Sequence, residues 1–351
     1  YDLCQYIPRG DKILAHVVKQ NASPQIDDAM IVWFDAENGE MHEIEKTGAW
    51  CWQQGSRLRW HPKEQDTILF NDLDHGEYVT KKVNLINGIA ERVSRALYDV
   101  DTEFKYGLAL NFSRLQRLRP GYGYSRIGEK NADIAAPADD GVFRVDMHSG
   151  DEVLLFSLKD LAKDVSAEGF HYINHLSISP SGKRFTFFHL WTLGAKQSWK
   201  MRFYVANADG SGLTLLDDEY IISHYCWVND RQMIVTDTKG KYIWIDTVSG
   251  EKKVIVSEHL NKDGHPSWMN RGFLTDTYPQ GKKSMQHVFR MNESGSEYLG
   301  ILKVFSDPRR YGEKRCDLHP RVTSDGKVTI DTTALGGVRS ILAFKLKESE
   351  M

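Results

Sequence analysis

An alternating apolar run, a turn rich in Gly, Asp, Asn or Ser, and a second run recur from one end of this chain to the other. Period-two alternation buries one face of a strand, and such turns close hairpins, so each unit reads as a small antiparallel sheet. The first unit holds residues 13–18 and 29–34 with the turn Glu37-Asn38-Gly39, and the second opens at Ser56. The third covers residues 96–156 with a long insertion, the fourth opens at Ile173, and the last three open at His224, His265 and His319. A spacing of about 40–50 residues is that of a four-stranded propeller blade. The expectation is an all-β chain: one seven-bladed β-propeller domain over residues 1–351, its N-terminal strand completing the last blade beside residues 341–345. Two β-sandwiches would also give evenly spaced strands, but the repeats run on without a linker. One short helix is expected within residues 157–165, and residues 120–140 read as a loop.

The bulk numbers agree with that class. Of 351 residues 41% are apolar, and nine Trp, fifteen Tyr and fifteen Phe favour strands over helices. A net charge of −3 and a pI near 6.5 give no bulk attraction for nucleic acid or an anionic membrane. No apolar run approaches the roughly 20 residues that cross a bilayer. Cys4, Cys51, Cys226 and Cys316 are too scattered for a disulfide framework, although one bridged pair stays open. The chain begins at Tyr1 with no visible signal peptide, which leaves the compartment undecided.

His175, His224, His265 and His319 each stand at the opening of a module, where a propeller would aim side chains at its axis. In Arg315-Cys316-Asp317-Leu318-His319-Pro320-Arg321 a thiol and an imidazole lie three residues apart. With His224 in Ser223-His224-Tyr225 and His265 in Gly264-His265-Pro266, they make a set of one sulfur and three imidazoles. That set suits tetrahedral zinc. The competing reading is structural histidines bonded to neighbouring blades. His61-Pro62 has no cysteine partner and is read as structural.

Two further clusters carry chemistry. Arg114, Arg117 and Arg119 precede a Gly-rich turn that holds Tyr122 and Tyr124. Arginine forks match carboxylates, and tyrosine rings stack on sugars and move protons. The bland alternative is a basic surface loop with aromatic packing. His171, Asn174 and His175 face His189 across a predicted hairpin, where His175 and His189 would approach each other. Gln53-Gln54-Gly55 adds amides suited to sugar hydroxyls. No Gly-x-Ser-x-Gly elbow and no phosphate loop is present.

Gly264-His265-Pro266 and Cys316-Asp317-Leu318-His319-Pro320 are similar to motifs of oligogalacturonate lyases, which are seven-bladed propeller enzymes. In that family the late motif is a glutamine, two residues, then His-Pro-His-Pro. Its Gln and His residues, with an earlier His, bind a divalent metal, typically manganese. The resemblance implies His265 and His319 as ligands, with Cys316 in the place of the glutamine and Arg321 in that of the second motif histidine. His224 lies where the family carries a catalytic histidine and would be either the base or a fourth ligand. Sulfur in the set favours zinc over manganese. Lyases acting on ulvan and on rhamnose-capped glucuronides are equally similar.

The implied activity is β-elimination on a uronic-acid-containing glycan: removal of a proton alpha to a carboxyl, then loss of the 4-O-linked sugar. On that reading Arg119 neutralises the carboxylate, and His175, His189 or Tyr124 serve as base and acid. Gln53, Arg114, Tyr122 and Arg321 would contact the substrate. The expected partner is an acidic oligo- or polysaccharide, with neither nucleic acid nor membrane, in bacterial-type sugar degradation in the periplasm or cytoplasm. The rival is a non-catalytic propeller that binds carbohydrate or protein.

Overall fold

The computed structural model describes residues 2–8, 10–165, 168–195, 197–347 and 350–351. Strands that are neighbours in the chain are neighbours in space, in seven small sheets. Seven such meanders make the chain all-β, a seven-bladed β-propeller in fold class. By contacts the chain divides into two compact units, residues 1–13, 34–40 and 220–351, and residues 14–33 and 41–219. Among the described residues no helix is long and apolar enough to cross a membrane. All four cysteines are free thiols.

The first unit contains three successive sheets. The fifth of the chain pairs Ile222–Trp227, Gln232–Asp237, Tyr242–Asp246 and Lys252–Ile255. The sixth pairs Ser267–Met269, Gly272–Asp276, Met285–Asn292 and Tyr298–Phe305, and the seventh Arg321–Val322, Lys327–Thr332 and Ser340–Lys345. Each sheet buries a face against the next. Ile234 and Tyr242 of the fifth pack on Phe273, Phe289 and Met291 of the sixth. Leu274 and Val288 of the sixth pack with Leu318, Val328 and Ile330 of the last blade. Burial of apolar area between successive sheets is the main favourable term holding them together.

The N-terminal strand, Lys12–Val17, belongs to the first sheet with Ala29–Asp35 and Met41–Thr47, and among the described residues the last sheet has three strands. The segment ahead of that strand meets the last sheet through side chains. Thr329 Oγ1 donates to Gln5 Oε1 at 2.7 Å, and Lys327 Nζ donates to Gly10 O and Asp11 Oδ1, each at 2.7 Å.

In the second unit, the third sheet joins Asp99–Val100, Tyr106–Ala109, Gly141–Asp146 and Glu152–Ser157. The insertion between its second and third strands opens with a helix, Phe112–Leu118, that the basic-loop reading missed. Asn111 caps it by accepting from Arg114 N at 3.0 Å. The helix expected near residue 157 is Leu158–Ala162, capped by Ser157. The fourth sheet is built from Phe170–Ile178, Arg184–Thr192, Trp199–Asn207 and Thr214–Asp217.

One turn recurs and explains the repeat. At Asp246-Thr247-Val248-Ser249-Gly250 the Asp246 carboxylate accepts from Val248 N and Ser249 N, each at 2.9 Å, and Gly250 sits at φ +75°. Asp35, Asn84 and Asp146 do the same before Gly39, Gly88 and Gly150. A short acceptor followed four residues later by glycine thus closes four hairpins by one device. Asp246→Ala should lower unfolding free energy by about 1 kcal/mol in urea titrations, because two backbone donors lose their acceptor. Asp246→Asn should retain most of it, since Asn84 already fills this role.

Candidate functional site

Three imidazoles meet in the first unit. The His265 ring centroid lies 3.9 Å from that of His224 and 3.6 Å from that of His319. Asp276, fully buried at the end of the apolar strand Gly272–Asp276, fixes two of them. It accepts from the backbone N–H of His265 at 2.8 Å and of His319 at 2.9 Å, and its oxygens lie 2.7 and 2.9 Å from His265 Nδ1. A carboxylate on Nδ1 sets the tautomer and leaves Nε2 as the ligand nitrogen, the arrangement found behind metal-binding histidines. Gly264 is required by space. A Cβ there would fall 2.2 Å from Asp276 O and 2.5 Å from the Tyr242 hydroxyl, so the chain enters His265 by close backbone contact. His319 adopts φ +43°, an uncommon conformation for a side chain with a Cβ, and the hydrogen bond to Asp276 holds it there.

His224 is set by a second carboxylate. Asp263 Oδ1 lies 3.4 Å from its Nδ1 and is itself held by Thr236 Oγ1 at 3.0 Å, while Asp263 Oδ2 accepts from Ser223 Oγ at 2.6 Å. Tyr278 lies beside the cluster, its ring 5.5 Å from His265 and 6.4 Å from His224. Burial lowers the pKa of both His224 and His319, and the charge of His265 lowers each further. Burial also pulls His265 down, but Asp276, then Asp317 and Asp263, outweigh it and the net shift is upward. Asp276 thus favours the charged form of His265, while burial disfavours the charged forms of His224 and His319.

Ligand atoms of His265, Asp317 and His319 lie within 4.8 Å of one another, a grouping that can hold a metal ion. Cys316 is not in it. Its thiol is buried against Arg339 and Asp331, and that burial pushes its pKa up to about 12, the state of an inert thiol. The carboxylate one residue on takes its place and is steadied by Arg315 Nε at 2.8 Å. The preference for zinc rested on sulfur, so it goes with Cys316. Two imidazoles and a carboxylate form a mixed nitrogen and oxygen set that several divalent ions accept, zinc and manganese among them. Arg321 is committed to the neighbouring strand of its own sheet, donating to Thr329 Oγ1 at 3.2 Å and to Asp331 at 3.3 and 3.4 Å.

The second unit sorts the remaining candidates. Arg119, Tyr122 and His175 do come together: the Arg119 guanidinium lies 4.6 Å over the Tyr122 ring, which is 6.2 Å from His175. Trp199 covers the same guanidinium at 4.8 Å. A bulge at residues 174–177 and φ +52° at His175 turn that ring out of the regular ladder. Gln53 is buried, its backbone N–H donating to Gly121 O at 3.1 Å.

Three expectations in this unit give way to core packing. Tyr124 is 1% exposed, accepts from Asn71 Nδ2 at 2.9 Å and stacks on Phe112, and burial drives its pKa well up. Arg114 is equally buried, paired with Glu129 and donating to His171 O at 2.5 Å and Ala135 O at 2.7 Å. His189 meets His171, at 2.9 Å between Nε2 and Nδ1, and not His175. Burial lowers the pKa of His189 to about 3 and of His171 to about 4, with Arg114 adding to the latter. These two are buried neutral rings within the sheet.

Sequence reasoning missed Asp276, Asp263 and Asp317. Its available signal was an acid closing an apolar strand, as in Phe273-Leu274-Thr275-Asp276.

No protein-family model and no curated protein sequence matches this chain. Solved structures match in fold. An oligogalacturonate lyase in complex with manganese superposes with a TM-score of 0.67 at 11% identity, covering 97% of this chain and 87% of that one. An oligogalacturonate lyase from Vibrio parahaemolyticus gives 0.65 at 13% identity, covering 100% and 90%. The tricorn protease gives 0.59 at 9% identity over 97% of this chain and 34% of its own. Identities this low establish the shared fold alone.

Asp276→Asn should cost about 3–5 kcal/mol in urea unfolding, because it removes the charge on which three donors converge in a buried site. The downfield Nδ1 proton signal of His265 should vanish with it. A second outcome concerns His171 and His189. With folded pKa values below the unfolded value of 6.5, they add stability that is fully present above pH 6.5 and is lost as pH falls towards about 4 and 3. The melting temperature should fall across that window, and less steeply in His189→Phe.

Proposed function

We propose that this chain is a lyase that cleaves a uronic-acid-containing oligosaccharide by β-elimination. The observation that carries the reading is the His265–Asp317–His319 grouping beside His224, within a fold shared over nearly the whole chain with a lyase solved with manganese. His265, His319 and Asp317 would hold a divalent cation. Such an ion supplies Lewis-acid stabilisation of the negative charge that develops on the sugar carboxylate.

The chain's own residues do the rest. His224, favoured in its neutral form because burial lowers its pKa, is the base for the C5 proton. Asp263 on its Nδ1 orients the ring and stabilises the imidazolium as the proton arrives. As the C5–H bond breaks, a C4–C5 double bond forms and the C4–O bond is lost. The departing oxygen then takes a proton from water or from the His224 imidazolium. Thr236 and Ser223 keep Asp263 from turning away during the step.

Incubation with a panel of uronide oligomers should generate the ultraviolet absorbance of an unsaturated uronide. His224→Ala should lower that rate by about 10²–10⁴-fold with the fold retained. Metal analysis should find the cation lost in His319→Ala and Asp317→Ala and kept in Cys316→Ser. Absence of absorbance over the whole panel, with oligomers still bound, would replace the lyase with a carbohydrate-binding propeller.

A further inference from the structure

The seventh sheet ends one strand early. The fifth and sixth sheets each have four strands, and among the described residues the seventh has three, with Ser340–Lys345 at its edge. The start of the chain does not supply the fourth, since Tyr6 pairs with Ile13 instead. Which backbone groups this edge presents follows from its ladder. Leu346 N–H donates to Gly326 O at 2.9 Å, on the side of Lys327–Thr332, and the register runs unbroken from Lys327 opposite Lys345 to Thr332 opposite Ser340. Alternation along an antiparallel strand then turns the N–H and C=O groups of Ile341, Ala343 and Lys345 outward. Among the described residues these outward groups have no backbone partner.

Sheet edges are ordinarily guarded by charge, shortness or a bulge, because a row of unpaired backbone groups is a template for another strand. The other outer strands of this unit follow that rule. Lys252–Ile255 has four residues, two of them Lys252 and Lys253. Tyr298–Phe305 carries Lys303, and its pairing is broken by a register shift between Val288 and Phe289. Ser340–Lys345 has six residues in regular register, and its one charge is Lys345 at the end. From Ser340 to Phe344 it is half-buried, whereas Tyr242, Ile243 and Ile245 of the third strand in the fifth sheet are buried. Leu342 and Phe344, like Ile301 and Leu302 of the sixth sheet, border the buried cluster around Leu318 and Val328 and are only partly covered.

We infer that this open edge pairs with the same edge of a second copy of the chain, antiparallel about a two-fold axis at Ala343. The segment's own symmetry selects that occupant. Because the outward groups belong to Ile341, Ala343 and Lys345, a copy turned about the axis sets Ala343 opposite Ala343 and Ile341 opposite Lys345. Each outward N–H then meets an outward carbonyl. The smallest side chain of the strand stands at the centre, where the two copies face each other. Leu342 comes opposite Phe344, aliphatic against aromatic, and Ile341 lies along the methylene stem of Lys345. No like charges are opposed. Each copy spends its one unguarded edge, so the contact closes as a dimer and does not run on into a fibre.

Sedimentation velocity on the whole chain tests this. One strand pair is a small contact, roughly below 1,200 Å², so the dimer should form as the concentration rises from about 1 to 200 µM. Ala343→Pro removes an outward N–H and no bond to Lys327–Thr332, and should weaken association by about tenfold or more with the melting temperature little changed. Ala343→Lys and Ala343→Glu each oppose like charges across the axis and should be monomeric. An equimolar mixture of those two variants should associate again, because the axis then sets Lys against Glu. If Ala343→Pro fails to fold, the mixture decides alone, since regained association needs folded edges. A parent protein that stays monomeric throughout overturns the pairing and leaves the edge to a different chain. A dimer as tight in Ala343→Pro as in the parent, or Lys and Glu variants that stay apart on mixing, overturns it as well.

Discussion

A single buried carboxylate organises the candidate site. Asp276 receives the backbone N–H groups that open the sixth and seventh blades, at His265 and His319, and the Nδ1 of His265 as well. Burying an ionised carboxylate is costly unless donors replace its water, and here three do. The arrangement ties the blade entries to one point. It also decides which nitrogen of His265 stays available to a ligand. Tyr242 and Thr275, joined at 2.6 Å, and the missing side chain at Gly264 complete the wall that lets the chain come this close.

Around that point the histidines divide into roles through electrostatics alone. Rings whose centroids lie 3.6–3.9 Å apart cannot all carry positive charge in a low-dielectric interior. Asp276 favours positive charge on His265, and burial disfavours it on the other two rings. A neutral imidazole can serve as a base or as a ligand, and the second carboxylate, Asp263, fixes the orientation of His224. The same Asp263 borders a neighbouring cavity.

The positions that misled are those where polar residues serve the core. Arg114 and Tyr124 look like surface chemistry because arginine and tyrosine are so often exposed. Here a helix capped at Asn111 turns the insertion inward, and Glu129 with several carbonyls supplies the desolvated guanidinium with partners. Nothing in a run of basic and glycine residues announces an acid fifteen positions later as its partner. His171 and His189 were drawn together by the two-residue period of an antiparallel ladder, in which Ile173 opposes His189 and His171 opposes Trp191. His171 and His175 each stand two residues from Ile173, and the bulge at residues 174–177 with the positive φ of His175 turns that ring away and leaves His171 beside His189.

The sequence by itself determined the all-β class, the seven modules and the histidines at the openings of the last three. These follow from period-two alternation and from acceptor-to-glycine turns, both of which act within a few residues of chain. Tertiary structure alone decided that Asp317, and not Cys316, stands with His265 and His319, and that Asp276 lies behind them. Neighbouring residues on an extended segment point to opposite sides, so a one-residue difference sends one side chain to the cluster and the other into the core. His319 itself adopts a positive φ, and a carboxylate from another blade is there to receive its N–H.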